Sequence, residues 1–104
     1  MDKGKNLKIV EMFKRVLSEK LNVKKLILFG SRARGDFKES SDFDLIVVSD
    51  DFESGRGYER APDMYRAWNL DYAVDFICLT SGEFDEMKNR QTIVNLAVKE
   101  GVEV

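Results

Sequence analysis

The sequence predicts an α/β (α+β) fold: a small mixed β-sheet with helices packed on one face. Three observations carry this expectation. The apolar runs Leu26-Ile27-Leu28-Phe29, Leu45-Ile46-Val47-Val48 and Ala73–Leu79 have the length and composition of strands. Stretches with apolar residues at helical spacing flank them. Glycine, serine and aspartate gather in the connections. The 104 residues read as a single domain, 1–104, with no internal repeat or linker.

The elements follow in order. From Asn6 to Lys20, apolar residues fall at Val10, Phe13, Leu17 and Leu21, with Ile9, Met12 and Val16 beside them. That spacing predicts an amphipathic helix with one wide apolar face packed on the sheet, not a membrane-surface helix. The first strand, Leu26–Phe29, stops at Gly30-Ser31, and a basic, polar connection with Arg32, Arg34, Asp36 and Lys38 follows. The second strand spans Asp42–Val48. Side chains alternate along a strand, so Asp42, Asp44, Ile46 and Val48 share one face, and Phe43, Leu45 and Val47 the other. Two carboxylates therefore project the same way, roughly 7 Å apart along the strand.

Residues 49–57 (SDDFESGRG) read as an acidic surface loop, with Asp50, Asp51 and Glu53 solvated rather than ligating. A weaker helical pattern runs from Tyr58 to Leu70, with Pro62 in or before the first turn and Met64, Tyr65 and Trp68 as packing residues. The third strand, Ala73–Leu79, is apolar except for Asp75, which shares a face with Ala73 and Ile77. An acid in a buried strand is costly unless paired or coordinated, so Asp75 is expected to join the two carboxylates of the second strand. Thr80 with Glu83 three residues on marks a helix start, for a helix to about Asn89. A last helix spans Gln91–Glu100 and ends at Gly101, and residues 102–104 suggest a short final strand. The face opposite the helices is expected to carry Asp42, Asp44 and Asp75 in an open cleft.

Composition narrows the chemistry. The chain is 43% hydrophobic and 35% charged, and its net charge of −2 gives no bulk attraction to nucleic acid or anionic membrane. No apolar run approaches the roughly 20 residues of a membrane span, and the N-terminus lacks a signal core. The single cysteine, Cys78, has no partner in the chain, so a reduced, cytoplasmic protein is expected. With no histidine, the chain supplies neither a histidine base nor a histidine metal ligand.

Three carboxylates on adjacent strands repel one another, and a divalent cation removes that repulsion. An all-oxygen donor set suits Mg²⁺, or Mn²⁺, rather than zinc, and Mg²⁺ so bound completes its shell with water and substrate phosphates. Gly30 permits close approach of backbone to phosphate, the Ser31 hydroxyl donates, and Arg32 and Arg34 neutralise charge on a leaving pyrophosphate. Such parts make a two-metal phosphoryl or nucleotidyl transfer site.

Gly30-Ser31, a ten-residue spacer and Asp42-Phe43-Asp44 together resemble the signature of the nucleotidyltransferase superfamily that includes DNA polymerase beta. The fuller text GSRARGDFKESSDFDL is similar to that of the minimal nucleotidyltransferases, and Asp75 in VDFI matches their third acid. The resemblance covers essentially the whole chain and implies a nucleotidyltransferase fold. One departure is Phe43, where a smaller aliphatic residue is common in the family. The resemblance implies that Asp42 and Asp44 bind both metal ions and that Asp75 binds the second and helps activate an acceptor hydroxyl. It further implies that Gly30 and Ser31 hold the β- and γ-phosphates of ATP, assisted by Arg34 and Arg32. Minimal members are often paired with a small all-helical HEPN-type ribonuclease toxin, which they neutralise by adding AMP to a tyrosine. The implied function is thus an antitoxin and protein adenylyltransferase, in a homo- or hetero-oligomer whose partner supplies the acceptor. The alternatives are a binding module that masks its partner without catalysis, and nucleotidyl transfer to a small molecule.

Overall fold

The structure, a computed structural model, describes residues 3–52 and 60–104. The chain runs α1 (Lys3–Ser18), β1 (Lys25–Phe29), α2 (Ser31–Arg34) and β2 (Phe43–Val48). After a 3-10 turn at Asp50–Phe52 come α3 (Arg60–Ala67), β3 (Val74–Leu79), α4 (Ser81–Met87), α5 (Ile93–Glu100) and β4 (Val102–Glu103). The expected surface loop falls partly on residues 53–59, and Glu53 with them lies outside the described residues.

The four strands form one sheet in the order β3-β2-β1-β4. β1 pairs antiparallel with both β2 and β4, whereas β2 and β3 run parallel, so the sheet is mixed as expected. The central strands are buried on both faces, which is why they read as continuous apolar runs rather than alternating ones. On one face Leu26, Leu28, Phe43, Leu45 and Val47 pack against Val10, Phe13 and Leu17 of α1 and Met64 of α3. Each such side chain contributes about 1.5–3 kcal/mol when fully buried.

The structure corrects two expectations. The apolar face of α1 is narrower than its composition suggests, because Met12 and Val16 are exposed. At about 100° per residue Met12 falls on the far side of the helix from the Val10–Phe13–Leu17 stripe, and Val16 at its edge, about 60° from Phe13. Helices also cover more than one face of the sheet. Phe84 of α4 and Val94 and Ala97 of α5 pack against Ile27, Phe29, Ile46, Val48 and Leu79 on the second face. Two buried faces of β1 and β2 need two layers of helix to keep them from water. Asp44 lies at the end of that second face, beyond Ile46 and Val48, which pack with α4 and α5.

Candidate active site

Strand alternation and register set two of the three aspartates side by side. Asp44 lies on the same face of β2 as Ile46 and Val48, and the parallel register sets it beside Asp75 of β3. Neighbouring strands lie about 4.8 Å apart. Asp42 sits one residue ahead of β2 and, by the same alternation, on the same side. From the other flank, Phe29, the last residue of β1, pairs with Asp44. The next residue, Gly30, turns the chain into α2 with φ 75° and ψ −160°. A methyl group at Gly30 would stand 3.2 Å from Asp44 Cγ and closer still to its Oδ2. The backbone therefore lies directly against the carboxylate only because Gly30 has no side chain.

Asp44 is half-buried, and its carboxyl is held above the usual value first by burial, then by the charges of Asp75 and Asp42. Arg34 pulls weakly the other way. This carboxyl is thus short of positive charge, as the donor side of a cation site should be. The all-oxygen set fits Mg²⁺ or Mn²⁺. Among the described residues, no three acidic or cysteine side chains converge into a ready-made metal cluster. A cation here would need oxygens from water and phosphate to complete its shell.

Asp75 departs from expectation. It is exposed, because β3 is the outermost strand on its side of the sheet. The premise of a buried acid in need of a partner belongs to Asp44 instead. Ser31 opens the single turn of α2 beside Gly30, half-buried. Arg34 is exposed at the rim and shared between Asp36, 3.4 Å from Nε, and Glu100 of α5, 3.8 Å from Nη1.

Arg32 is not brought to this site. It is fully buried, with Nε donating to Ser41 O at 2.9 Å, Nη2 to Glu39 O at 3.0 Å and Nη1 to Asn6 Oδ1 at 3.0 Å. A guanidinium so engaged is not available to a phosphate, which corrects the expectation for this arginine.

Two residues in or near the site were not anticipated. Asn6 is fully buried and holds Arg32 from α1. Its signal was present, since Asn6 continues the Val10–Phe13–Leu17 stripe with a polar side chain. Glu100 carried no such signal, because only the crossing of α5 brings it to Arg34. Two acids of the 49–57 segment, Asp50 and Asp51, serve the fold. Asp50 accepts from Ser81 N at 2.9 Å and pairs with Lys24 at 3.1 Å, and Asp51 accepts from Asn22 N at 2.8 Å. Burial pushes the Cys78 thiol up to about 11, so it is an inert packing group.

Known proteins are similar to this chain in sequence and fold. The family model described as "Nucleotidyltransferase domain" matches residues 10–103. Two Methanocaldococcus jannaschii proteins, each named "putative protein adenylyltransferase", are 47% identical over 49 residues and 44% identical over 43 residues. These alignments cover 44% and 41% of this chain and 49% and 43% of the relatives, so the chain spans about half the length of the curated relatives it matches. A solved structure titled as a "putative nucleotidyltransferase from Sulfolobus solfataricus" superposes with a TM-score of 0.63 at 27% identity, over 97% of this chain and 80% of that one.

Proposed function

The chain belongs to the nucleotidyltransferase domain family, and from that premise we propose that it transfers AMP from Mg·ATP to a hydroxyl of a partner protein, as the antitoxin of a small helical HEPN-type ribonuclease toxin. One observation carries the reading. Asp44 and Asp75 are register partners on one sheet face, with the charge of Asp42 acting on Asp44 and Gly30 pressed against it. The names of the M. jannaschii relatives support a protein as acceptor.

Each residue has a role in this proposal. Asp42 and Asp44 would hold the cations, and Asp75 would hold the second one. A divalent cation bound there supplies charge neutralisation for the triphosphate and the leaving pyrophosphate. Gly30 lets the backbone approach the β- and γ-phosphates, and Ser31 donates its hydroxyl to them. Arg34 leaves Glu100 and Asp36 to neutralise the same phosphates, an exchange that costs little because surface ion pairs are worth about 0–1 kcal/mol. Asp75 is exposed, so it is open to an incoming hydroxyl and able to accept its proton. The hydroxyl oxygen attacks the α-phosphorus. The bond from that phosphorus to the β-bridging oxygen breaks, and pyrophosphate departs.

Mass spectrometry of the partner after co-expression tests the proposal. One added AMP on a hydroxyl residue, lost with Asp44→Asn, is the expected result. A neutralised but unmodified partner would favour the masking reading instead. The absence of a ready-made three-ligand cluster among the described residues is the observation on that side. Calorimetric titration with Mg·ATP separates the two readings further, because masking does not require saturable binding that Asp44→Asn abolishes.

A further inference from the structure

Behind the aspartate face, a single buried guanidinium touches every segment that leads into the acids. Arg32 donates to the carbonyls of Glu39 and Ser41, and Ser41 directly precedes Asp42. Its Cζ stands 4.3 Å from the ring centroid of Phe43, the residue between Asp42 and Asp44. It stands 5.2 Å from the ring of Tyr72, three residues ahead of Asp75, and 5.1 Å from the ring of Phe37 in the spacer. On the α1 side it meets Asn6, which returns a bond from Nδ2 to Arg32 O at 3.2 Å. Arg32 and Asn6 are both fully buried.

A buried cation is costly, and it persists only where hydrogen bonds and facing π-electrons compensate it. Here the compensating groups belong to the spacer, to β2 and to the approach to β3. Strand pairing and the bond from Phe43 N to Ala73 O already tie β2 to the approach to β3, but the spacer between Gly35 and Asp42 contains no helix or strand, and the guanidinium bonds it at two carbonyls. Phe43 also gains a reason. A smaller aliphatic side chain would fill the core there but would offer the guanidinium no aromatic face.

We propose that Arg32 is a positioning residue for the cation site. Its fork fixes the carbonyls of Glu39 and Ser41 while its face stacks on Phe43 and Tyr72, and together these hold the spacer and Asp42 against the Asp44–Asp75 pair that strand register sets. The inference rests on the reading of those acids as cation ligands. Arginine suits the position because its planar fork bonds two carbonyls while its face stacks on rings, and lysine does neither.

The test is a Mn²⁺ titration followed by electron paramagnetic resonance in the presence of ATP, with hydrogen exchange of the same samples. The variants are Arg32→Lys, Asn6→Ala and Phe43→Leu, beside Leu17→Ala. Leu17 is a buried α1 residue about three helical turns beyond Asn6, so its variant controls for lost stability alone. Arg32→Lys is expected to weaken Mn²⁺ binding about 10- to 100-fold, as removal of supporting hydrogen bonds behind metal ligands does. It is also expected to strip exchange protection from residues 39–44, and Leu17→Ala to do neither. If Arg32→Lys fails to fold, Asn6→Ala and Phe43→Leu carry the same comparison. Mn²⁺ affinity lowered no further than in Leu17→Ala would overturn the proposal. Should the wild-type chain bind no Mn²⁺, the proposed function falls, and hydrogen exchange decides the inference alone. Protection lost selectively over 39–44 then upholds Arg32 as the anchor of that segment, and unchanged protection removes it.

Discussion

Gly30 matters to the site through the atom it lacks. Its φ of 75° lies where L side chains are rarely tolerated, and a Cβ would collide with the Asp44 carboxylate. Gly30→Ala should lower stability by about 1–2 kcal/mol from backbone strain, read by urea unfolding. It should also displace Asp44 and weaken Mg·ATP binding beyond what that stability loss explains, read by calorimetry. Wild-type affinity in a folded Gly30→Ala would show that the close approach is not used. The two arginines nearby show how little residue type says about placement. Arg32 and Arg34 stand about 200° apart around one helical turn, so they point to opposite sides. One enters the core and the other reaches the rim.

Among the elements, α4 was the most legible. Thr80 and Glu83 form the reciprocal capping box that their spacing implied, with Glu83 N donating to Thr80 Oγ1 at 3.2 Å and Thr80 N donating to Glu83 Oε1 at 2.8 Å. The second bond helps hold the Glu83 carboxyl below its ordinary range. Thr80→Ala should therefore cost about 1 kcal/mol, measured by chemical denaturation. A loss near zero would mean that packing of Phe84, not the cap, determines where the helix starts. The end of α5 was legible only in part. Gly101 does terminate it, but in extended backbone with φ −86° and ψ 179°, not in the left-handed cap usual for such a glycine. Its smallness serves another need, because a Cβ there would stand 2.7 Å from Leu28 O as β4 joins β1. Local sequence marked the stop, and strand pairing supplied the reason. For β3, the apolar run marked a strand, but its edge position, and with it the exposure of Asp75, depends on strand order.

Across the whole molecule, the candidate site and the fold respond to pH in opposite senses. The Asp44 carboxyl is raised above its unfolded value of 3.8, so the folded state binds that proton more readily than the unfolded state does. Its destabilising effect is present at neutral pH and is relieved as pH falls through the raised value. Asp50 and Glu83 are lowered, chiefly by backbone N–H donors, so their contributions are present above their unfolded values and are lost as pH falls through the folded ones. Asp44→Asn should therefore be more stable than the wild type at neutral pH, with the gain vanishing in acid, as urea unfolding across that range will show. A gain independent of pH would assign the effect to packing. Stability given up at Asp44 fits a group kept for binding a cation rather than for holding the fold.

By itself the sequence determined the element types, the shared face of Asp42 and Asp44, the helix cap at Thr80 and the turn at Gly30. Each is written in a local pattern, whether a period of two or 3.6, a capping pair or a glycine after a strand. Only the tertiary structure decided that helices cover both faces, that Asp75 is exposed beside Asp44, and that Arg32 is buried while Arg34 is exposed between Asp36 and Glu100. Those outcomes depend on strand order and register between segments far apart in the chain. Burial and electrostatic neighbours follow from which segments meet, and the spacing within a single segment does not contain that information.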